Sequence, residues 1–376
     1  MCCWEPRQYP TAQAATHGEL PINRGFPKRK SKEMKSVSKN RTSLLSLGHF
    51  HPEGVIDNAF LESLDIGVES TWIIERVGIR ARRTVLPLDY IRATKNRDPR
   101  AADEAAMLTN AQTGAMAARM AMRRAGIGPD DIGMIVAGGC SPRYSIPAEA
   151  CVIASELGVE CPAFDLSSAC STFAAQIHLL NSMRPECLPD YVLLVSAENT
   201  TRRVDYSDRR TAVLWGDGST AAIVSPRIPG RISLLKSTLH SDPNGWEKVV
   251  IPSGGFFYQD GPAVQAFAIR KTLSLLGELC PEKGIKDPSV TFIGHQANLL
   301  MLEAVCRKAE IPVDHHCFNV DRYGNCGASG APAVLSERWD ELQEGEVCMA
   351  LVGSGLTWGG MLLRVGPVCN GGAAKC

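Results

Sequence analysis

The sequence predicts an α/β fold made of two pseudo-symmetric halves, and three observations carry that prediction. Short aliphatic runs alternate with longer stretches of helical spacing along most of the chain. The runs are apolar throughout instead of alternating with polar residues, as in strands covered on both faces. Their spacing also recurs. Val136 and Val195 lie 59 residues apart, as do Ile293 and Val352, and the two pairs are offset by 157 residues. That is the mark of an internal duplication. Two such halves stack as helix, sheet, helix, sheet and helix, with ligand sites at strand ends.

Residues 1–43 carry Pro6, Pro10, Pro21 and Pro27 and a basic run from Arg24 to Arg41. They read as a disordered basic extension, with Met34 as an alternative start. The N-terminal half spans 44–228. It opens on a strand at 44–50, followed by a segment in which Trp72 stands among Arg76, Arg80, Arg82 and Arg83. This segment is either a solvated loop or a phosphate and base site, since Trp offers a stacking face and Arg bidentate contacts. Ala-rich residues 101–125 predict one helix, with Ala105, Met107, Leu108, Ala115, Met116 and Met120 at packing positions. A strand through Met134–Ala137, a helix opened by Ser145-Ile146-Pro147 and a strand at Tyr191–Glu198 follow. A glycine turn at Trp215-Gly216-Asp217-Gly218 then feeds a further strand. The C-terminal half spans 229–366. Helices are expected at 265–279 and 299–309. Strands are expected at 289–295 and 347–352, the second ending in the Gly353-Ser354-Gly355 turn. Residues 367–376 are a tail.

The formal net charge of zero leaves no field favouring nucleic acid or an acidic membrane. No apolar run approaches the roughly 18 to 20 residues that span a bilayer. The 14 cysteines include no C-x-x-C pair, so neither a zinc site nor a dithiol motif is written. His49-x-His51 and His315-His316 lack partners at ligand spacing, and no metal is expected. Without a secretory signal, reduced thiols in a cytosol-like compartment are the expectation.

Three residues stand out at predicted strand ends and turns. Cys170 follows the apolar run Pro162-Ala163-Phe164 and opens a helix in which Phe173, Ala174, Ile177, Leu179 and Leu180 are packing positions. A helix N-terminus stabilises a thiolate, and Ser167, Ser168 and Ala169 leave the sulfur reachable. Judged alone, a cysteine is more often an inert core thiol. His295 ends a strand in Gly294-His295-Gln296-Ala297-Asn298, where a structural histidine is the plain alternative. Asn325 lies in Tyr323-Gly324-Asn325, where asparagine is a common turn residue. Cys, His and Asn together form a nucleophilic set. The papain-type surroundings of such a cysteine are absent.

Pro162-Ala163-Phe164-Asp165, Ala169-Cys170-Ser171-x-Phe173, Trp215-Gly216-Asp217-Gly218, His295-Gln296-Ala297-Asn298, Tyr323-Gly324-Asn325 and Gly353-Ser354-Gly355-Leu356-Thr357-Trp358-Gly359 occur in that order. In these motifs the chain resembles 3-oxoacyl-(acyl-carrier-protein) synthase III, of the thiolase superfamily, over residues 44–366. The resemblance implies a thiolase-like five-layer αβαβα fold and a homodimer. It implies no permanent cofactor, with coenzyme A thioesters, malonyl thioesters and acyl carrier protein as substrates and partners. Cys170 would carry the acyl group, while its backbone N–H and the 353–355 turn hold the oxyanion. His295 and Asn325 would stabilise the enolate left by decarboxylation. Trp72, Arg76 and Arg209 would hold the nucleotide end of coenzyme A, Asn298 would line the pantetheine tunnel, and Arg307 and Lys308 would meet the carrier protein. Ile146 would reach into the partner's acyl pocket. Acetyl-specific members commonly carry Phe there, so a longer or branched starter is expected. The His-Gln-Ala-Asn segment usually continues Leu-Arg, but here Leu299-Leu300 follows. Arg210 stands where small residues are common.

Relatives in secondary metabolism or biotin-precursor supply would share these motifs, and acyl transfer to oxygen or nitrogen without decarboxylation is a further alternative. A biosynthetic thiolase would need a C-terminal Cys-Gly-x-Gly turn. A chalcone-synthase-like enzyme would need Gly-Phe-Gly-Pro-Gly. A non-catalytic dimer partner would have lost Cys170.

Overall fold

The strands of the main sheet run in an order that repeats one pattern twice. In the computed structural model, which describes residues 42–367 except Lys283, the chain opens with β1 (Ser43–Phe50). A small antiparallel pair, β2 (Gly54–Asp57) and β3 (Ala81–Thr84), encloses helices α1 (Asn58–Ser63) and α2 (Ser70–Val77). Then come α3 (Leu88–Thr94), α4 (Pro99–Ala105) and α5 (Asn110–Ala125). The first half continues with β4 (Met134–Ala137), α6 (Glu149–Leu157), β5 (Ala163–Asp165), α7 (Thr172–Ser182) and β6 (Val192–Glu198). It closes with α8 (Arg209–Ala212) and β7 (Gly218–Ser225). The second half begins with β8 (Ile232–Ser241), the minor pair β9 (Val249–Val250) and β10 (Tyr258–Gln259), and α9 (Gly261–Leu279). It continues with β11 (Val290–Gly294), α10 (Leu299–Ala309), α11 (Val320–Tyr323) and α12 (Gly330–Glu337), and ends with β12 (Gly345–Gly353) and β13 (Thr357–Val365). The extension expected over 1–43 and the tail from 367 lie outside the described residues except for Thr42, Ser43 and Pro367.

In the first half β4 and β6 are parallel, and β7 and then β1 follow antiparallel. In the second, β11 and β12 are parallel, and β13 and then β8 follow antiparallel. β5 flanks β4, and an isolated Phe292–His316 bridge occupies the matching place beside β11. One feature differs from two separate sheets. β1 and β8 pair at Ser43–Ser233 and Leu44–Ile232, so the half-sheets are joined at their inner edges. Edge strands carry unpaired N–H and C=O groups, and this short pairing satisfies some of them.

Five layers result. α5 and α6 cover the outer face of the first half through Ala115, Ala118, Ala121 and Ile153. α7 and α12 lie between the half-sheets, with Phe173, Ile177, Val334 and Leu335 packed among strand residues of both. α9 and α10 cover the other outer face through Leu275, Leu279, Leu302 and Val305. Along β12, Val347, Met349 and Leu351 face the central helices, while Cys348, Ala350 and Val352 face the outer ones. Both faces of the strand are buried, so no polar alternation is possible. Among the described residues no helix is long and apolar enough to cross a membrane.

The helix expected over 101–125 is broken. Thr109 Oγ1 accepts from Gln112 N–H at 3.2 Å and Gln112 Oε1 accepts from Thr109 N–H at 2.9 Å, a capping box that starts α5 afresh. Met107, outside the helix, and Met116, on its outer side, are exposed, as is Leu179 on α7. Trp72 and Arg76 lie on α2, so this segment is a helix where a loop was the plain expectation. Arg82 is fully buried, bonding Asn58 Oδ1 at 2.6 Å and the Val213 carbonyl, so it is a structural member of the arginine cluster.

Candidate active site

Cys170 stands at the end of a tight turn that leaves β5 and enters α7. Asp165, the last residue of β5, accepts from Glu149 and Ala150 N–H at 2.8 and 2.9 Å and so ties the strand end to the start of α6. Thr172 Oγ1 donates to the Ala169 carbonyl at 2.6 Å and accepts from Ser168 N–H at 2.9 Å. Ala169 is forced to a φ of 46°, a region in which a bulky side chain would be strained. Ser171 is the N-cap position of α7, so the Cys170 sulfur sits at the positive end of that helix.

The sulfur has two partners. Cys140 Sγ lies 3.6 Å away, and the His295 side chain hydrogen-bonds it. Together they hold the Cys170 thiol well below its ordinary range, the Cys140 hydrogen bond first, against the opposing effect of burial. Cys140 moves the other way, raised by the same hydrogen bond and by burial. The asymmetry has a physical cause. Cys170 faces His295 and a helix N-terminus, whereas Cys140 faces the Glu198 carboxylate, so the shared proton belongs on Cys140.

His295 directly follows β11 and is buried. Its N–H donates to the Ala350 carbonyl at 3.0 Å, extending the strand pairing by one residue. Gln296 Oε1 accepts from Asn319 and Val320 N–H, anchoring the loop to α11. Asn325 N–H donates to the Leu214 carbonyl at 2.8 Å, and its own carbonyl accepts from Gly216 N–H at 3.1 Å. Asn325 Oδ1 accepts from Gly327 N–H at 3.0 Å, so the amide nitrogen is the group left to donate elsewhere. The approach of these two segments requires glycine. A Cβ on Gly216 would lie 2.0 Å from the Tyr323 carbonyl oxygen, and one on Gly324, at φ 70°, would lie 2.7 Å from that of Leu214.

The 353–355 turn seats on the nucleophile turn. Thr357 Oγ1 and Ser171 Oγ are 2.7 Å apart, and Ser354 Oγ donates to the Val249 carbonyl. A pocket of about 170 Å³ opens over the sulfur, lined among others by Cys140, Cys170, Trp215, Phe257 and Ser354. Trp215 bridges to Asn325 in parallel pairing. Cys170 lines this pocket, His295 acts on its sulfur, and Asn325 is tied by backbone pairing to Trp215 in the pocket wall.

Sequence reasoning missed two residues here, Cys140 in the pocket lining and Glu198 behind it. Cys140 follows Gly138-Gly139 at the end of β4. Glu198 is fully buried at the end of β6, where its carboxylate accepts from Cys140 N–H at 2.9 Å and Ala328 N–H at 2.9 Å. It ties the Cys140 loop to the turn after Asn325. A carboxylate at the close of the apolar run Val192–Ala197 was the signal that could have found it. Burial pushes its pKa up to about 7, despite those two N–H donors. From the ordinary 4.5 to about 7 the folded protein keeps a proton that the unfolded chain releases, so stability falls as pH rises through that window. Asp217, raised to about 6 by burial, adds to the same slope. Glu198→Gln keeps an acceptor for both amides and is expected to flatten the loss by roughly 2–3 kcal/mol across pH 5 to 7. Denaturant unfolding at stepped pH reads this, and equal slopes for the two proteins would contradict it.

Of the predicted site residues, Cys170 and Ser354 line the pocket, and the remaining candidates lie on α2, α8, α10 and the loop before α6. Arg209 stacks its guanidinium 5.7 Å over the Trp72 ring and donates to the Gly67 carbonyl at 3.0 Å. Arg76 is exposed one turn beyond Trp72 on α2. α2 meets α10 closely, since a Cβ on Gly78 would lie 2.7 Å from Leu299 Cβ. Asn298 caps α10, its Oδ1 accepting from Met301 N–H at 2.8 Å, so that oxygen is committed to the helix start. Arg307 and Lys308 are exposed on the last turn of α10, and Arg307 lies 3.8 Å from Glu303. Arg210 pairs with Asp208 at 2.9 Å. Ile146 is 84% exposed in the loop before α6, away from its own chain's pocket.

Two family models match, that of 3-oxoacyl-[acyl-carrier-protein (ACP)] synthase III at residues 164–243 and that of its C-terminal region at 282–365. They take in Cys170, His295, Asn325 and the 353–355 turn. The beta-ketoacyl-[acyl-carrier-protein] synthase III of Syntrophomonas wolfei is 30% identical over 348 residues, covering 87% of this chain and 98% of that one. Among solved structures, 3-oxoacyl-[acyl-carrier-protein] synthase III from Aquifex aeolicus superposes with a TM-score of 0.76 at 28% identity, covering 86% of this chain and 99% of that one. The priming beta-ketosynthase of the R1128 polyketide pathway superposes with a TM-score of 0.74 at 25% identity, covering 88% and 98%. With identity of this degree spread over nearly the full length of such relatives, on the same fold, the chain belongs to the 3-oxoacyl-[acyl-carrier-protein] synthase III family.

Proposed function

We propose that this chain catalyses a decarboxylative Claisen condensation between an acyl-coenzyme A and malonyl-acyl carrier protein, through an acyl thioester on Cys170. The observation that supports this reading is the Cys170 thiol at the N-terminus of α7, lowered by its partners Cys140 and His295, with Asn325 bridged to Trp215 in the wall of the pocket over the sulfur. The thiolate attacks the acyl carbonyl, and backbone N–H groups of Cys170 and the 353–355 turn take the oxyanion until the coenzyme A thiolate leaves. The malonyl thioester then enters. His295 and the Asn325 amide donate to its thioester oxygen, carbon dioxide departs, and negative charge collects on that oxygen. The carbanion attacks the acyl group, the Cys170 thiolate leaves, and a 3-oxoacyl thioester results. Hydrogen-bond donors suit this charge because they hold it on the oxygen without handing a proton to the reacting carbanion.

Incubation with a panel of acyl-coenzyme A thioesters, read by intact mass, tests the first step. One acyl group added to the native protein is expected, and no adduct from any donor would refute the nucleophile assignment. No cofactor is held permanently. Trp72 and Arg209 are the docking face for the adenine and phosphates, with Arg76 beside them. Trp72→Ala and Arg209→Ala are each expected to raise KM for the acyl donor about tenfold with kcat little changed, since stacking and a charged hydrogen bond each contribute on the order of 1 kcal/mol. An unchanged KM in both variants would remove this face from the site. Asn298 lines the pantetheine tunnel through its amide nitrogen, and Arg307 and Lys308 meet the acidic carrier protein.

The working form is a cytoplasmic homodimer. Tyr144, Ile146 and Phe164 are exposed apolar residues near the edge strand β5 and fit an interface that delivers Ile146 to the partner's acyl pocket. Ile is smaller than Phe, so a longer or branched starter than acetyl fits. Ile146 and the likeness to a polyketide priming enzyme also favour a second reading, priming of a polyketide chain. The same panel discriminates by which acyl group loads fastest.

A further inference from the structure

The pocket contains a second thiol that the condensation does not use. Cys140 and Cys170 face one another at 3.6 Å between sulfurs, and both line the same cavity. A disulfide bond is about 2.05 Å long, so the sulfurs need to close by roughly 1.5 Å. The loop from Gly138 to Ala148 that carries Cys140 contains no helix or strand, whereas Cys170 is fixed between its turn and α7. The closing movement therefore falls on Cys140. Its backbone stays held by Glu198 through its N–H, so side-chain rotation supplies the movement. We propose that Cys140 is a resolving thiol for Cys170, and that a hydroperoxide entering the pocket joins the two as a reversible disulfide that switches acylation off.

The chemistry balances. The Cys170 thiolate attacks one oxygen of hydrogen peroxide and the O–O bond breaks. Cys170 becomes a sulfenic acid, and the departing hydroxide leaves as water after taking a proton from solvent. Cys140 then attacks the sulfenic sulfur, and the S–O bond breaks as the second hydroxide leaves with the Cys140 proton as a second water. The two sulfurs together lose two electrons and the peroxide gains them. Roles follow position. Cys170 is the better first attacker because His295 and the α7 N-terminus stabilise its thiolate. Glu198 faces the Cys140 thiol and is placed to relay its proton to the leaving hydroxide at the second step. Without Cys140 the sulfenic acid would be exposed to a second peroxide and oxidised irreversibly. The pair thus protects the nucleophile as well as silencing it. That consequence for activity rests on the acyl-enzyme reading above.

The test uses the full chain, reduced and then treated with a small excess of hydrogen peroxide. The native protein is expected to lose about 2 Da, to yield a peptide linking Cys140 to Cys170, and to fall at least about tenfold in acylation by acyl-coenzyme A. Dithiothreitol is expected to restore acylation. Cys140→Ala, or Cys140→Ser should the first variant misfold, is expected instead to gain about 16 or 32 Da on Cys170, with dithiothreitol failing to recover the doubly oxidised form. Peptide mapping is needed because Cys280 and Cys348 are also hydrogen-bonded neighbours. A link only between those two overturns the proposal, and so does a native protein that accumulates oxidised Cys170 with no Cys140 link. The peptide map does not depend on any donor acylating the protein, so its failure is distinguishable from failure of the acyl-enzyme reading.

Discussion

Cys170→Ala and His295→Ala are expected to fail at different steps. Cys170→Ala should form no acyl adduct and lose condensation by on the order of 10⁴-fold or more, as removal of a nucleophile does elsewhere. It should still decarboxylate the malonyl thioester, because His295 and Asn325 are untouched and the enolate needs only their donors. His295→Ala and Asn325→Ala should still take an acyl group, while decarboxylation falls about 10²- to 10³-fold each, the loss typical of one oxyanion donor. His295 also hydrogen-bonds the Cys170 sulfur, so its removal should slow acylation as well, and Asn325→Ala should not. The double variant His295→Ala/Asn325→Ala should lose less than the product of the single losses, because both donors are proposed to serve one oxygen. Intact mass after acyl transfer and release of labelled carbon dioxide read the two steps separately. Undiminished carbon dioxide release from His295→Ala would refute the enolate assignment. Undiminished acylation of Cys170→Ala would refute the nucleophile.

The parts of this site that a sequence displays are those fixed by local chemistry. Glycines that allow two backbones to approach within a Cβ's reach, at Gly216 and Gly324, cannot be replaced and so mark the turns beside Asn325. Strands buried on both faces show as unbroken aliphatic runs, and the matched 59-residue spacing reflects two half-sheets with the same strand order. What stayed hidden depends on the third dimension. Nothing near Cys140 in the chain announces a second sulfur 3.6 Å from the first, since 30 residues and a whole helix separate them. Glu198 ends an apolar strand, but its two amide donors come from loops at residues 140 and 328. The break between α4 and α5 was written as Thr109-x-x-Gln112 and was outweighed by the alanine content around it, where the cap wins because it satisfies N–H groups that alanine cannot. Arg82 belongs to a segment whose sequence allows either a solvated loop or a phosphate and base site. Its burial against Asn58 and Val213 follows from the pairing of β2 with β3, which no local pattern specifies.

Gly353→Ala is expected to damage catalysis from the opposite half of the molecule. Gly353 ends β12, and a Cβ there would lie 2.9 Å from the Ser168 carbonyl oxygen, 2.9 Å from the Ser171 nitrogen and 3.0 Å from Thr357 Oγ1. The first two are backbone atoms of the turn that carries Cys170, so no side chain can swing aside. Either β12 retreats, against its nine-residue pairing with β13, or the nucleophile turn shifts. The turn is the softer partner, because Ala169 already sits at a φ of 46° and the segment is held mainly by side-chain hydroxyls of Ser171, Thr172 and Thr357. A shift of a few tenths of an ångström there moves the sulfur relative to His295 and the oxyanion donors together. Misplacement of reacting groups by about 1 Å can cost on the order of 10²-fold. Gly353→Ala is therefore expected to slow acylation by at least tenfold and to destabilise the fold by about 1–3 kcal/mol, the usual range for overpacking. Gly277→Ala is the control, since a Cβ on that α9 residue meets nothing within 4 Å and helical alanine should be neutral or stabilising by up to about 1 kcal/mol. Stopped-flow acylation and denaturant unfolding of both variants give the comparison. If Gly353→Ala acylates at the native rate with native stability, the two half-sheets are not coupled through this contact. If it slows acylation while Gly277→Ala does not, the end of β12 holds the nucleophile turn in place.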